Sequence, residues 1–415
     1  MKNKLLNLLK PDGSRMLRLV LVSRRYPPQI GGAERVMANM ADALAKAGHL
    51  VTVVSSQNSS EGISATPDTG PADEEHNPKL IRLPYRGLRT IGTAQYMLGL
   101  NRWLVRHRPD LVYVSMLKHD AYAAINAGKK LGIPVVLRPE GAGQTGDLAW
   151  QKRDRFGAVI GRKTKKANAF VALSETIRNE LLAGGYNSSS IHLIPNGVPV
   201  PSASWSAKKW DGSVPQVVFV GRLAQEKGLD TLLDAWPEVL ALNTDARLRI
   251  IGDGPLQQTL QEQAKRLGIS GSVDFSGALA NAAEELGQAD LFVLPSREEG
   301  LSIALLEAMA LGLPVVVSDI PGNRILVRQD QTGRLALPND PSMLAQMIKE
   351  ALSGNEQTLA MAKAGRELVE DRFSIEAVAE QHLELFRDLL SEMSFRNGGS
   401  RMDWNYWLGR CLTRR

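Results

Sequence analysis

One cysteine, Cys411, stands in 415 residues, so no disulfide can close within the chain and a reducing, cytoplasmic setting is expected. Aromatic residues make up only 5%. That leaves few stacking platforms beside the basic segments and argues against nucleic acid as a partner. No run of eighteen apolar residues occurs, so no segment reads as a membrane-spanning helix. The opening MKNKLLNLLKPDGSR is too short and interrupted for a secretory signal; it reads as a basic amphipathic helix on a membrane or as a frayed end. The six histidines have no metal-ligand spacing and no Asp-x-Asp occurs, so neither a metal nor a resident cofactor is expected.

What is present is an ordinary soluble α/β composition, 43% hydrophobic and 23% charged, on a chain long enough for two domains. Its charge is unevenly divided. Residues 1–200 hold 28 Lys and Arg against 15 Asp and Glu, whereas residues 201–415 hold 22 against 29. The first half is therefore suited to an anionic partner. Lys152, Arg153, Arg155, Arg162, Lys163, Lys165 and Lys166 concentrate this charge on one expected helix, which suits either an anionic membrane or acceptor, or plain solvation.

Short β-branched runs alternate with helix-length segments, the pattern of parallel sheets covered by helices. Strands are expected at 17–22, 50–54, 111–115, 134–138 and 169–173, with helices between them. Pro, Gly and Ser then accumulate in IHLIPNGVPVPSASWS, and the pattern restarts with strands at 216–223, 247–254, 272–277, 290–296 and 313–319. This predicts an N-terminal domain over 1–200, a second over 201–395 closed by the C-terminal helices, and a basic, Trp-containing tail over 396–415. Two such units sharing a cleft suit a reaction between two bound molecules.

Ligands of open parallel sheets sit beyond the carboxyl ends of the strands, which directs attention to four loops. Gly31 and Gly32 open a helix after the first strand, where backbone N–H groups can meet phosphate or sugar oxygens. Arg222 and Lys227, five residues apart in VGRLAQEKG, can face one polyanion. Gly252 and Gly254 in IIGDGPL allow close approach. In PSREEGLSIALLEAMALG, Glu299 sits at the mouth of a helix expected to begin near Leu301, with the amides of Gly300, Leu301 and Ser302 free to hold an anion. Glu307 lies two turns further in, among leucines and alanines, and a carboxylate there needs a hydrogen-bonding partner. The GAGQTG segment at 141–146 matches G-x-G-x-x-G, but the basic helix after it departs from a compact β-α-β unit, so a dinucleotide site is rejected.

Taken together, PPQIGGAERV, IPNGV, VGRLAQEKG, IGDGP and SREEGLSIALLEAMALGLPVV resemble glycosyltransferase family 4 over nearly the whole chain. The resemblance implies the GT-B fold, two Rossmann-like domains facing a central cleft, and retaining chemistry without a metal. It implies a nucleotide-sugar donor, UDP- or GDP-linked, on the second domain and a glycan or lipid-linked acceptor on the first. Glu299 and Glu307 match the family's E-x7-E pattern. Carried over, Arg222 and Lys227 would neutralise the diphosphate, Glu299 would meet the donor sugar, and Glu307 would bind the ribose hydroxyls, so that the nucleotide supplies its partner. Many relatives place a histidine after the PVV strand; here LRPEGAGQTGD puts Glu140 there, beside Arg138, as a candidate for sugar or acceptor contact. His119 is a further candidate for the cleft.

The expected role is synthesis of cell-surface polysaccharide or glycolipid, peripherally at the inner face of the membrane. Three alternatives stay open: a sugar-nucleotide epimerase, a soluble sugar-phosphate transferase, and a nucleotide-sugar-binding protein without turnover.

Overall fold

The computed structural model of the protein describes residues 15–27, 32–57, 75–202, 214–242, 244–279 and 282–396. The amphipathic opening, Gly31 and the Trp-containing tail lie outside them. Its strands form two parallel sheets. The first contains β1 (Arg18–Val22), β2 (Leu50–Ser56), β3 (Lys79–Leu83), β4 (Leu111–Ser115), β5 (Val135–Arg138), β6 (Ala169–Ala172) and β7 (Ile191–Leu193), in the order β3-β2-β1-β4-β5-β6-β7. The second contains β8 (Gln216–Val220), β9 (Arg247–Ile251), β10 (Val273–Gly277), β11 (Leu291–Leu294), β12 (Val315–Ser318) and β13 (Arg334–Ala336), in the order β10-β9-β8-β11-β12-β13. Both orders reverse direction once, between β1 and β4 and between β8 and β11. The crevices beyond those strand ends are where such sheets bind ligands.

Helices α1 (Gly32–Lys46), α2 (Arg89–His107), α3 (His119–Leu131), α4 (Asp147–Arg153), α5 (Gly157–Thr164) and α6 (Glu175–Ala183) connect the first sheet. The second unit carries α7 (Leu229–Leu240), α8 (Gln257–Arg266), α9 (Ala282–Gln288), α10 (Ile303–Ala310), α11 (Pro341–Leu352) and α12 (Glu356–Arg372), and α13 (Ile375–Arg396) follows. β4, LVYVS, and β12, VVVS, are buried at every position, as strands covered on both faces must be. The caps are local: Asp340 accepts from the Met343 amide at 2.9 Å ahead of Pro341, which fills a helix-start position that needs no N–H donor.

Three features depart from the sequence reading. The short strands β3, β7 and β13 were not expected. The single basic helix is two helices: the Asp154 carboxylate accepts from the Phe156 amide at 2.9 Å, and a Cβ on Gly157 would meet the Gln151 carbonyl oxygen at 1.9 Å, so the chain turns sharply there. Finally, the C-terminal helices do not all close the second unit. α11 and α12 do, through Leu344, Ile348, Val369 and their neighbours. α13 instead adds Ile375, Val378, Leu383 and Phe386 to the core of the first unit, because its apolar stripe lies against β4.

Two details fix α13 there. The chain passes between the units at two adjacent points, where the Val198 amide donates to the Phe373 carbonyl at 2.9 Å and the Ile375 amide donates to the Val198 carbonyl at 2.8 Å. Within the core, His382 Nδ1 donates to the Val378 carbonyl at 2.8 Å, which leaves Nε2 to accept from the Tyr113 hydroxyl at 3.0 Å. Burial holds the imidazole neutral, with its pKa lowered to about 4.

Candidate active site

The loops after β8 and β11 straddle the reversal of the second sheet and are tied together. Arg297 donates its amide to the Glu226 carbonyl at 2.7 Å and its guanidinium to the Gln225 carbonyl at 2.6 Å and to Asp230 at 2.7 Å. Burial alone would raise the Asp230 pKa, but the Arg297 hydrogen bond and charge outweigh it and hold the carboxyl below its usual value. Gly228 turns the first loop with φ +63°, and a Cβ there would meet the Pro295 carbonyl oxygen at 2.1 Å. This tight seam places Lys227 Nζ 2.6 Å from Glu299 Oε1, which also accepts from Ser296 Oγ at 2.7 Å. Arg222 is exposed, and its guanidinium makes no hydrogen bond or ion pair among the described residues. One cation is thus held by a carboxylate and the other is available to an anion.

Gly252 and Gly254 serve this loop. A Cβ on Gly252, at φ +139°, would meet the Gly221 carbonyl oxygen at 1.9 Å, and one on Gly254 would meet the Leu223 carbonyl oxygen at 2.2 Å. The close approach inferred from these glycines is to the backbone that carries Arg222. Gly300 is exposed, with nothing within 4 Å of a Cβ. Helix α10 starts at Ile303, two residues later than expected, because Ser302 is its cap and accepts from the Leu305 amide at 3.3 Å. The amides of Gly300, Leu301 and Ser302 donate to no described residue. They stand beside Glu299 as unused donors.

Glu307 projects from the middle of α10 with a side chain 10% exposed. Its partner is Arg35 of α1, whose Nη1 lies 2.7 Å from Oε1 and 3.0 Å from Oε2. The sequence leaves that place to a nucleotide; a residue of the first unit occupies it. Arg35 lies in the quoted GGAERV segment, yet the one signal pointing to it was the need of a covered carboxylate for a cation from elsewhere. Gly32 begins the same helix, and a Cβ there would lie 3.9 Å from Ile303 Cγ1, so the starts of α1 and α10 face one another.

Glu140 follows β5 and is tightly engaged. It pairs with buried Arg138, accepts from Ser115 Oγ, and donates its amide to Asp147 at 2.9 Å. Arg138 also donates to Asn196 of the IPNGV segment. Burial raises the Asp147 pKa, an effect that Lys118 at 3.8 Å moderates. His119 packs edge-on against Trp150, with ring centroids 5.3 Å apart. The GAGQTG segment closes on itself: a Cβ on Gly146 would meet the Gly141 carbonyl oxygen at 2.7 Å.

A family model described as Glycosyltransferase Family 4 matches residues 30–200, and one described as Glycosyl transferases group 1 matches residues 205–368. A glycogen synthase of Mycobacterium tuberculosis is 26% identical over 406 residues, spanning 89% of this chain and 94% of the relative. A GDP-mannose-dependent alpha-(1-6)-phosphatidylinositol monomannoside mannosyltransferase of the same organism is 26% identical over 392 residues, spanning 90% and 98%. Among solved structures, Anabaena Alr3699/HepE in complex with UDP-glucose superposes with a TM-score of 0.70 at 19% identity, over 90% of this chain and 100% of that one. Sucrose-phosphate synthase from Thermosynechococcus elongatus also reaches 0.70, at 21% identity over 90% and 99%. With both halves matched and the two facing sheets in place, the chain belongs to glycosyltransferase family 4 and has the GT-B fold.

Proposed function

We propose that this protein is a retaining, metal-independent glycosyltransferase that moves a sugar from a UDP- or GDP-linked donor to a glycan or lipid-linked acceptor. The observation that carries this reading is the meeting, at one strand-order reversal, of Arg222, Lys227, the unused amides of residues 300–302, and Glu299. Breaking the anomeric bond leaves negative charge on a nucleoside diphosphate. Fixed cations and helix-end N–H groups stabilise that charge more in the transition state than in the ground state. Glu299 and Glu307 accept hydrogen bonds from the donor's sugar and ribose, and the leaving phosphate takes the acceptor proton on the face where it departed. Glu140, already committed to Arg138 and Ser115, contributes to the cleft through its neighbours.

The donor classes come from relatives: one is named GDP-mannose-dependent, and one structural neighbour holds UDP-glucose. A lipid-linked acceptor and work at the inner face of a membrane are supported by the first half's basic charge. No helix among the described residues is long and apolar enough to cross a membrane. At the α4–α5 turn, however, exposed Phe156 and Val159 stand among exposed Lys152, Arg153, Arg155, Arg162 and Lys166. Apolar tips within a basic patch are what an anionic bilayer surface recruits. The role proposed is therefore cell-surface polysaccharide or glycolipid synthesis by a peripheral cytoplasmic enzyme.

The test is calorimetric titration with UDP-, GDP- and ADP-sugars without added metal, followed by anomeric analysis of the product formed with acceptor. Binding of one donor and transfer with retained configuration meet the proposal. Turnover without acceptor to an epimerised nucleotide sugar, or binding with no turnover, would replace it with one of the alternatives.

A further inference from the structure

Arg35 gives Glu307 a cation that no described residue of the second unit supplies. Its side chain is 29% exposed and reaches from α1 to a carboxylate 272 residues away, whose own side chain is 10% exposed and whose helix neighbours Leu305, Leu306 and Ala308 are buried. A carboxylate in such surroundings without a cation bears a large desolvation cost. Arg35 offsets that cost and fixes the direction of the side chain. It does so with one nitrogen, Nη1, shared between Oε1 at 2.7 Å and Oε2 at 3.0 Å. Each ionised carboxylate oxygen has two acceptor sites, so Glu307 can still accept from two further donors. A vicinal diol presents two O–H donors at a matching spacing.

We propose that Arg35 is a positioning residue for the nucleotide. Reaching across the cleft, it holds Glu307 aimed so that the remaining acceptor sites receive the ribose 2′- and 3′-hydroxyls. Ribose recognition is then conditional on α1 and α10 facing each other, so a donor is read fully only when the two units meet. This inference rests on the reading of Glu307 as the ribose partner given under the proposed function.

The experiment compares binding of UDP and GDP with that of their 2′,3′-dideoxy counterparts, by calorimetry, in the wild type, Arg35→Ala, Arg35→Lys and Glu307→Gln. A hydrogen bond to a charged group sets the expected wild-type preference for ribose at roughly ten- to hundredfold. Arg35→Ala is expected to bring that preference close to unity while leaving dideoxynucleotide affinity unchanged, and Arg35→Lys to restore part of it. A merely structural role would weaken both nucleotides alike. Full ribose preference in Arg35→Ala, together with its loss in Glu307→Gln, would overturn the inference and leave the reading of Glu307 intact. Full preference in Glu307→Gln, or no binding of either nucleotide, would overturn the reading itself and the inference with it. Should Arg35→Ala fail to fold, Arg35→Met keeps the packing of the stem and carries the same comparison.

Discussion

Lys227 and Glu299 form an ion pair between the two anion-facing loops of the second unit, with Nζ 2.6 Å from Oε1 and Ser296 Oγ on the same oxygen. Assigned separately to a diphosphate and a sugar, the two residues are joined as one element of the site. A donor phosphate reaching Lys227 must share it with Glu299, whereas Arg222 is exposed and has no ion pair among the described residues. This difference separates two substitutions that sequence alone treats as equivalent.

Arg222→Ala is expected to lower kcat/KM by roughly 10²–10³, the cost of one preorganised donor, and to leave stability within about 0.5 kcal/mol. Lys227→Ala should lose comparable activity and also destabilise the fold by about 1–3 kcal/mol, because the Glu299 side chain, 8% exposed, loses its cation. Steady-state kinetics and urea unfolding measure both quantities. Less than a threefold loss of kcat/KM in both variants would remove these residues from the chemistry.

Gly252→Ala should cost about 2–4 kcal/mol, since its φ of +139° and the Gly221 carbonyl at 1.9 Å both exclude a Cβ. Gly300→Ala, with open space around it, should stay within about 0.5 kcal/mol of the wild type. Equal unfolding midpoints for the two would contradict the loop packing that supports Arg222.

His382 makes stability depend on pH with a definite sign. Its folded pKa of about 4 lies below the ordinary imidazole value of 6.5, so on acidification the unfolded chain takes up the proton first. Stability therefore falls as pH drops from about 6.5 toward 4, by up to about 3 kcal/mol from this group. His382→Gln should flatten that part of the profile in urea unfolding measured across pH. An unchanged slope would assign the acid sensitivity to other groups.

The α4–α5 surface should bind phosphatidylcholine vesicles only when they contain phosphatidylglycerol, and added salt should release the protein. Reversing Lys152, Arg153, Arg155 and Arg162 to Glu should abolish cosedimentation while nucleotide affinity is unchanged. Equal sedimentation with neutral vesicles would defeat this reading.

The strands most open to reading in the sequence are those whose burial is total. Val-rich runs such as VVFV and PVVV announce covered parallel strands, and the glycine-bearing loops after them mark the candidate site. β7 and β13 have three residues each, too few for any period to appear, and β3, KLIRL, is an edge strand whose Lys79 and Arg82 break up its apolar run without a two-residue period. The split between α4 and α5 rests on a single Asp154 turn within an otherwise helical composition. At the site, residues near one another in sequence were found as a group. Arg35 was not, because its contact with Glu307 exists only once two separately folded sheets face each other, and no local propensity encodes that distance.

The neighbouring passages at Val198 and Ser374 have a consequence for how the gene can be cut. A fragment ending near residue 200 would lack α13, and with it the buried Val378, Leu383 and Phe386 of its core, while the complementary fragment would carry that apolar helix uncovered. Exchange of donor specificity with a relative should therefore succeed as an insertion, replacing the stretch between the two passages and keeping both flanks from one parent. A single-crossover chimera would mate α13 of one parent with β4 of the other. The histidine–tyrosine contact in that seam then becomes a compatibility requirement, a constraint on recombination that the linear order of the halves does not reveal.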